Sequence, residues 1–197
     1  MKSFGLPILG AIVFAANSQA IGAEIISSID PAKLPAHKIT SEAKYLSSMD
    51  VYRMVWAEPA ILFVDVRDAV EISRQGHPEK IDAIVPVRIP SFNARAIPQT
   101  EELVLNPQFL DHMEEVIVNA GKSRHDLIIL TCGSGRRSAE AAQILSDAGY
   151  TNVYHVPDGY EGDETIGYNT QNAWEAAGLP WSMKLAQATE WRLDISQ

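Results

Sequence analysis

The chain has one cysteine, Cys132, and it opens the run Cys132-Gly133-Ser134-Gly135-Arg136-Arg137-Ser138 directly after the apolar stretch Leu127-Ile128-Ile129-Leu130-Thr131. A thiol at the end of a buried strand, followed by a glycine-rich turn that leads into a helical pattern, stands where main-chain N–H groups converge on one anion. Gly133 and Gly135 let the backbone curl close to the sulfur, and Arg136 and Arg137 add positive charge that no accessible pH removes. Such surroundings turn a thiol into a thiolate nucleophile. A free cysteine is often no more than a small buried hydrophobe, but a packed core position has no use for a cationic, glycine-rich loop. The run predicts an enzyme that attacks through Cys132.

Further segments stand in order around this loop. Upstream lie Phe63-Val64-Asp65-Val66-Arg67 with Glu71, then Gly76-His77; downstream lie Ala148-Gly149-Tyr150-Thr151-Asn152-Val153-Tyr154 and Ala177-Gly178-Leu179-Pro180-Trp181. Together with the loop and its sequel Ser138 to Leu145, they make residues 40–182 resemble a single-domain rhodanese, a sulfurtransferase. The resemblance implies covalent catalysis in two half-reactions: the cysteine takes a sulfane sulfur from a donor, holds it as a persulfide and passes it to a thiophilic acceptor. Carried onto this chain, Cys132 is the nucleophile and the N–H groups of Gly133, Ser134, Gly135, Arg136 and Arg137 hold the persulfide anion. Arg137 closes the loop against an anionic donor or leaving group, with Arg136 a second candidate for that contact. No cofactor and no metal is implied.

Loop length separates two chemistries. Phosphatases and arsenate reductases with a related cradle place five residues between cysteine and arginine, whereas four separate Cys132 from Arg137. A ring of this size suits one sulfur atom rather than a tetrahedral oxyanion. The donor is less sharply marked: Cys132-Gly133-Ser134-Gly135 resembles the loop of mercaptopyruvate sulfurtransferases, Arg136-Arg137-Ser138 that of single-domain rhodaneses. Thiosulfate is the favoured donor. A rhodanese-like module that senses sulfur or binds a partner without turnover is the alternative from a different class.

The elements that must position this loop alternate along the chain. Thr40 is expected to cap a short helix at Ser41-Glu42-Ala43, and a second helix runs from about Asp50 to Ala57 before Pro59. Ile61 to Val66 and Leu127 to Thr131 are apolar runs of strand length. Ala83 to Ile89 reads as an edge or bulged strand because Pro86 lacks a donor, and Val153 to Val156 is a further short strand. Helices are expected near Ala69 to Arg74, from Pro107 to Ala120, and from Arg137 to Ala148 before Gly149. This order predicts an α/β fold: a single domain with a mainly parallel sheet and helices on both faces. Ligands of such sheets gather beyond the carboxyl ends of the strands, where Cys132 falls.

Two segments depart from the family pattern. Residues 90–106, with Pro90, Asn93, Arg95 and Pro98, form a loop long enough to overhang the site, and residues 158–172 carry the cluster Asp158-Gly159-Tyr160-Glu161-Gly162-Asp163-Glu164. That cluster lacks the alternating spacing of a calcium loop and reads as a solvated turn. Asp65, Arg67 and Glu71 are expected to clip the turn after the first strand, and His77 to order its loop through hydrogen bonds. His37, His112, His125 and His155 show no metal-ligand spacing. Trp174 and Trp181 are expected to pack the carboxyl-terminal segment on the core.

The chain ends bear on location. Lys2, the apolar run Leu6 to Ala16 and the small residues around Ala20 and Ala23 have the order of a secretory signal, expected over residues 1–23. Residues 24–39 then form an extension and 183–197 a tail. The apolar run is shorter than the roughly 18 residues of a spanning helix, so a soluble periplasmic protein is expected. A lone cysteine cannot staple an exported fold, which leaves reactivity as the reason to keep it. The formal charge of −9 argues against nucleic acid and anionic membrane as partners. A small anionic sulfur donor must then be captured by local cations, with Arg88 and Arg95 as further candidates, and the acceptor is a thiol or cyanide-like group, including a thiol on a protein.

Overall fold

The computed structural model describes residues 25–91, 103–163, 170–184 and 189–190. The expected signal segment, Arg95, Glu164 and most of the tail lie outside them.

Strands β1 (Leu62–Asp65), β3 (Ala83–Ile84), β6 (Ile128–Thr131), β7 (Val153–His155) and β9 (Thr189–Glu190) form one parallel sheet in the order β7-β6-β1-β3-β9. Its central strands are apolar at every second position on both faces, as a doubly covered sheet requires. Leu62, Val64, Ile128 and Leu130 face one core with Phe109, Met113, Ile117, Ala141 and Leu145. These come from helices α3 (Phe109–Asn119) and α4 (Arg136–Asp147). Phe63 and Ile129 face the other core with Val51, Val55, Ile72 and Trp174. There the cover is α1 (Ser48–Ala57), started by a Ser47/Asp50 capping box, and α2 (Ala69–Gln75), capped by Asp68.

Three local expectations are corrected. Ser41 and Glu42 form a turn rather than a helix, and Ala43 sits at φ 50°. The chain is instead drawn alongside β7: His155 N–H donates to Lys44 O (3.2 Å) and Leu46 N–H to His155 O (3.1 Å), so Tyr45 bridges to His155. The Ala83 to Ile89 run breaks at Pro86. Beyond it the chain leaves the main sheet as β4 (Arg88–Pro90), which pairs antiparallel with β5 (Leu103–Leu105), a strand inside the expected long loop. Helix α3 begins at Phe109 rather than Pro107 because Asn106 organises the preceding turn: its Oδ1 accepts from Gln108 N–H at 3.1 Å and its Nδ2 donates to Pro86 O at 2.8 Å.

A second small antiparallel pair joins β2 (His77–Pro78) to β8 (Trp181–Ser182). Among the described residues no helix is long and apolar enough to cross a membrane.

Candidate active site

Strand β6 ends at Thr131 and delivers Cys132 to the carboxyl edge of the sheet, wholly buried at the start of the loop into α4. The turn depends on Gly135, which caps α4 at φ 85°. A Cβ there would lie 2.2 Å from the Pro157 carbonyl oxygen, so only glycine fits. This conformation aims the Gly135 N–H at Cys132 Sγ (3.1 Å), and the first turn of α4 adds the Ser138 N–H (3.3 Å). The Ser138 hydroxyl stands 3.6 Å from the same sulfur. Two main-chain donors at a helix N-terminus form the environment that stabilises a sulfur anion.

The segment after β7 holds the loop from the other side. Tyr160 N–H donates to Cys132 O (2.8 Å), and Glu161 and Gly162 N–H groups both donate to Gly133 O (2.8 and 3.2 Å). Gly159, at φ 68°, brings its backbone so near that a Cβ would stand 2.3 Å from Gly133 O. The acidic cluster is therefore not a wholly solvated turn: Glu161 is exposed, but two of its carboxylates are not. Asp158 and Asp163 are buried, and Asp163 Oδ2 faces Lys38 Nζ (3.5 Å) and His37 Nε2 (3.6 Å).

Of the residues singled out from sequence, Cys132, Gly133 and Gly135 come together at the sulfur and its clamp, and Ser134 is half-buried beside them. Arg137 closes the loop, but its guanidinium is engaged: Nη1 and Nη2 each donate to a separate oxygen of Glu71 at 2.6 Å. Burial acts to lower the Arg137 pKa, yet the Glu71 hydrogen bonds and the attraction of Cys132 outweigh it and raise the value. Arg136 is exposed and lines a cavity of about 640 Å³ with Ser134, Arg137, Arg88 and His37. Arg88 is paired with Glu140 through two bonds of 2.7 Å.

The expected turn clip divides into two devices. Arg67 is fully buried, bound to Asp65 (2.7 Å) and the Gly76 carbonyl (2.8 Å) beneath the Tyr160 ring, whereas Glu71 crosses to Arg137. His77 does order its loop, contacting the carbonyls of Pro78 and Lys184. Trp174 is buried against Phe63, but Trp181 remains 46% exposed, its ring lying over Gly76. Among the described residues no group of three or more His, Cys, Asp or Glu is placed to hold a metal.

Sequence reasoning missed Ser138, His155, Lys38 and the partner role of Glu71. His155 is fully buried with Nδ1 3.4 Å from Ser138 Oγ and Nε2 3.0 Å from Lys38 O, and burial pushes its pKa down to about 4. No local signal marked them: Lys38, like Lys33, stands in the amino-terminal extension, where a lysine side chain is expected in water.

A cysteine at a strand end, its sulfur held by amides of the following helical turn and its loop closed by an arginine after four intervening residues, fits a rhodanese-like domain. The family model for the rhodanese-like domain matches residues 48–164, more than half of the chain, and the protein belongs to that family. It is 29% identical over 136 residues to an uncharacterised protein of Rickettsia conorii, covering 69% of this chain and 94% of that one. It is 35% identical over 118 residues to the chloroplastic thiosulfate sulfurtransferase 16 of Arabidopsis thaliana, covering 60% of this chain and 77% of that one. The crystal structure of Rv0390 from M. tuberculosis matches with a TM-score of 0.54 at 26% identity, covering 71% of this chain and 97% of that one.

Proposed function

We propose that this protein is a sulfurtransferase that moves sulfane sulfur through a persulfide on Cys132, with thiosulfate as donor. The Cys132 thiolate attacks the outer sulfur of thiosulfate, the S–S bond of the donor breaks, and sulfite leaves with the bonding pair. A thiolate or cyanide then attacks the outer sulfur of the persulfide, which returns Cys132 as a thiolate; no net oxidant or reductant is needed. The observation that carries this reading is the pair of N–H donors from Gly135 and Ser138 on the buried Cys132 sulfur. These donors stabilise the sulfur anion both as nucleophile and as leaving group. The family assignment and the thiosulfate sulfurtransferase of Arabidopsis thaliana among its relatives support it.

We further read the protein as exported to a periplasm, on the strength of Lys2 and the apolar run Leu6 to Ala16. Its acceptor is then a thiol of that compartment, small or on a protein, and neither nucleic acid nor membrane is a partner.

The test is thiocyanate formation by the purified protein from thiosulfate and cyanide, run beside mercaptopyruvate and an aryl phosphate, each repeated with Cys132→Ser. Turnover with thiosulfate that disappears in the variant, and an added sulfur on Cys132 by mass spectrometry, are expected. Turnover with the phosphate ester alone would establish phosphatase chemistry instead, and no turnover with any donor would make the domain a binding module.

A further inference from the structure

Two contact chains run from one residue of the amino-terminal extension to the Cys132 sulfur. Lys38 ends a 3₁₀ turn at Ala36–Lys38, ahead of the family-matched residues 48–164, and its side chain is wholly buried. Its Nζ donates to the Pro157 carbonyl at 3.0 Å. That carbonyl is the group against which Gly135 is seated, and the Gly135 N–H is one of the two donors on Sγ.

The second chain starts at the Lys38 main chain. Its carbonyl can only accept, so the His155 Nε2 facing it at 3.0 Å carries the proton. A neutral ring then leaves Nδ1 with a lone pair toward the Ser138 hydroxyl at 3.4 Å. Ser138 supplies the other N–H donor on the sulfur. One residue thus sets the carbonyl behind Gly135 and the tautomer behind Ser138.

We propose that the Lys38 side chain is a positioning group for sulfur transfer, holding the Gly135 donor on Cys132 through Pro157, while the main chain of the same residue sets His155 behind Ser138. The proposal rests on the sulfur-transfer reading of the site. An ammonium in this place is costly to bury, and a methionine of similar length would pack more cheaply. Its retention is explained by the charges around it. Asp163 stands 3.5 Å from Nζ, Asp158 lies on the clamp beside it, and the thiolate or persulfide of Cys132 attracts it across the loop. Burial pulls the lysine pKa down and these anions pull it back up. Arg67 and Arg137 are also attracted by the same sulfur.

The experiment compares the full chain with its Lys38→Met variant in three readouts: the iodoacetamide alkylation rate of Cys132 at pH 6, kcat, and KM for thiosulfate. Alkylation and kcat should each fall about tenfold, with KM changed less than twofold, because a displaced Gly135 N–H weakens the nucleophile and not the thiosulfate contacts at the rim. A folded variant that melts earlier but alkylates and turns over at the wild-type rate would overturn the proposal and make Lys38 an anchor only. Should the variant not fold, NMR of the unaltered protein decides: Lys38 Nζ protons protected from exchange and a neutral His155 with its proton on Nε2 are expected, and Nζ protons exchanging as fast as those of a surface lysine, or a proton on Nδ1, would overturn the proposal. Absence of turnover in the wild-type protein would defeat the functional reading alone, since alkylation at pH 6 still measures what Lys38 does to the sulfur.

Discussion

Arg137 and Glu71 are locked by two parallel hydrogen bonds of 2.6 Å, one from each terminal guanidinium nitrogen, with side chains only 17% and 18% exposed. This bidentate pair ties the Cys132 loop to helix α2, which packs in the core on the sheet face opposite α4. It also brings a carboxylate to the Cys132 loop: Glu71 Oε1 and Glu161 Oε2 would lie 3.2 and 3.0 Å from a Cβ at Gly133, so negative charge stands beside this loop as well as Arg137.

Breaking that pair on one side leaves a largely buried, unmatched cation. Glu71→Ala is expected to destabilise the fold by about 1–3 kcal/mol and to lower sulfur-transfer activity. The Arg88–Glu140 pair, at 37% and 30% exposure, is the control. Arg88→Ala should cost less than about 1 kcal/mol. Denaturant melts of the two variants check both values.

Glycine substitutions should separate steric need from conformational preference. Gly135 and Gly178 both have positive φ (85° and 68°), but a Cβ at Gly135 meets the Pro157 carbonyl at 2.2 Å whereas nothing lies within 4 Å at Gly178. Gly178→Ala is expected to cost about 1–2 kcal/mol, the strain of a left-handed alanine. Gly135→Ala adds displacement of the clamp and should cost more than about 3 kcal/mol, with loss of activity in whatever fraction folds. Thermal melts and thiocyanate assays on the pair would expose an error if the two behaved alike.

Asp158 gives the stability a defined pH dependence. It is 1% exposed, its Oδ1 has no hydrogen-bond partner among the described residues, and burial pushes its pKa from 3.8 up to about 6. The folded chain therefore binds more protons than the unfolded chain between those values. Its contribution is fully present below the unfolded pKa and is lost as pH rises through about 6. Asp158→Asn, which keeps an acceptor for the Ser48 N–H, should be neutral near pH 4 and stabilising by about 2 kcal/mol at pH 7.5. His155 acts with the opposite sign: held near 4 in the fold, it withdraws stability as pH falls below the ordinary imidazole range. Unfolding free energies of wild type and Asp158→Asn at the two pH values check the difference.

The central sheet was legible because each of its long strands is a continuous apolar run that serves two cores, as Phe63 between Leu62 and Val64 shows. The Cys132 loop was legible because its glycines and arginines are adjacent in the chain. Ala83 to Ile89 reads as one strand because alternation and length cannot show that Pro86 sends the chain into a separate ribbon with β5. The residue types of the acidic cluster at 158–163 favour water and so point to the surface. Burial beside Lys38 and Ser48 reverses that preference for Asp158 and Asp163, and it is not written locally.

From the residues in order, the chain itself determined where the Cys132 sulfur sits, that four residues separate it from its closing arginine, and which strand presents it. These follow from short-range chemistry, since a turn, a cap and the start of a helix are set by neighbours within a few positions. Tertiary structure alone decided that Arg137 answers to Glu71, that Ser138 rests on His155, and that Lys38 reaches Pro157 from 119 residues away. Such partners are chosen by which polar groups are buried together, and burial is a property of the packed chain rather than of any segment in it.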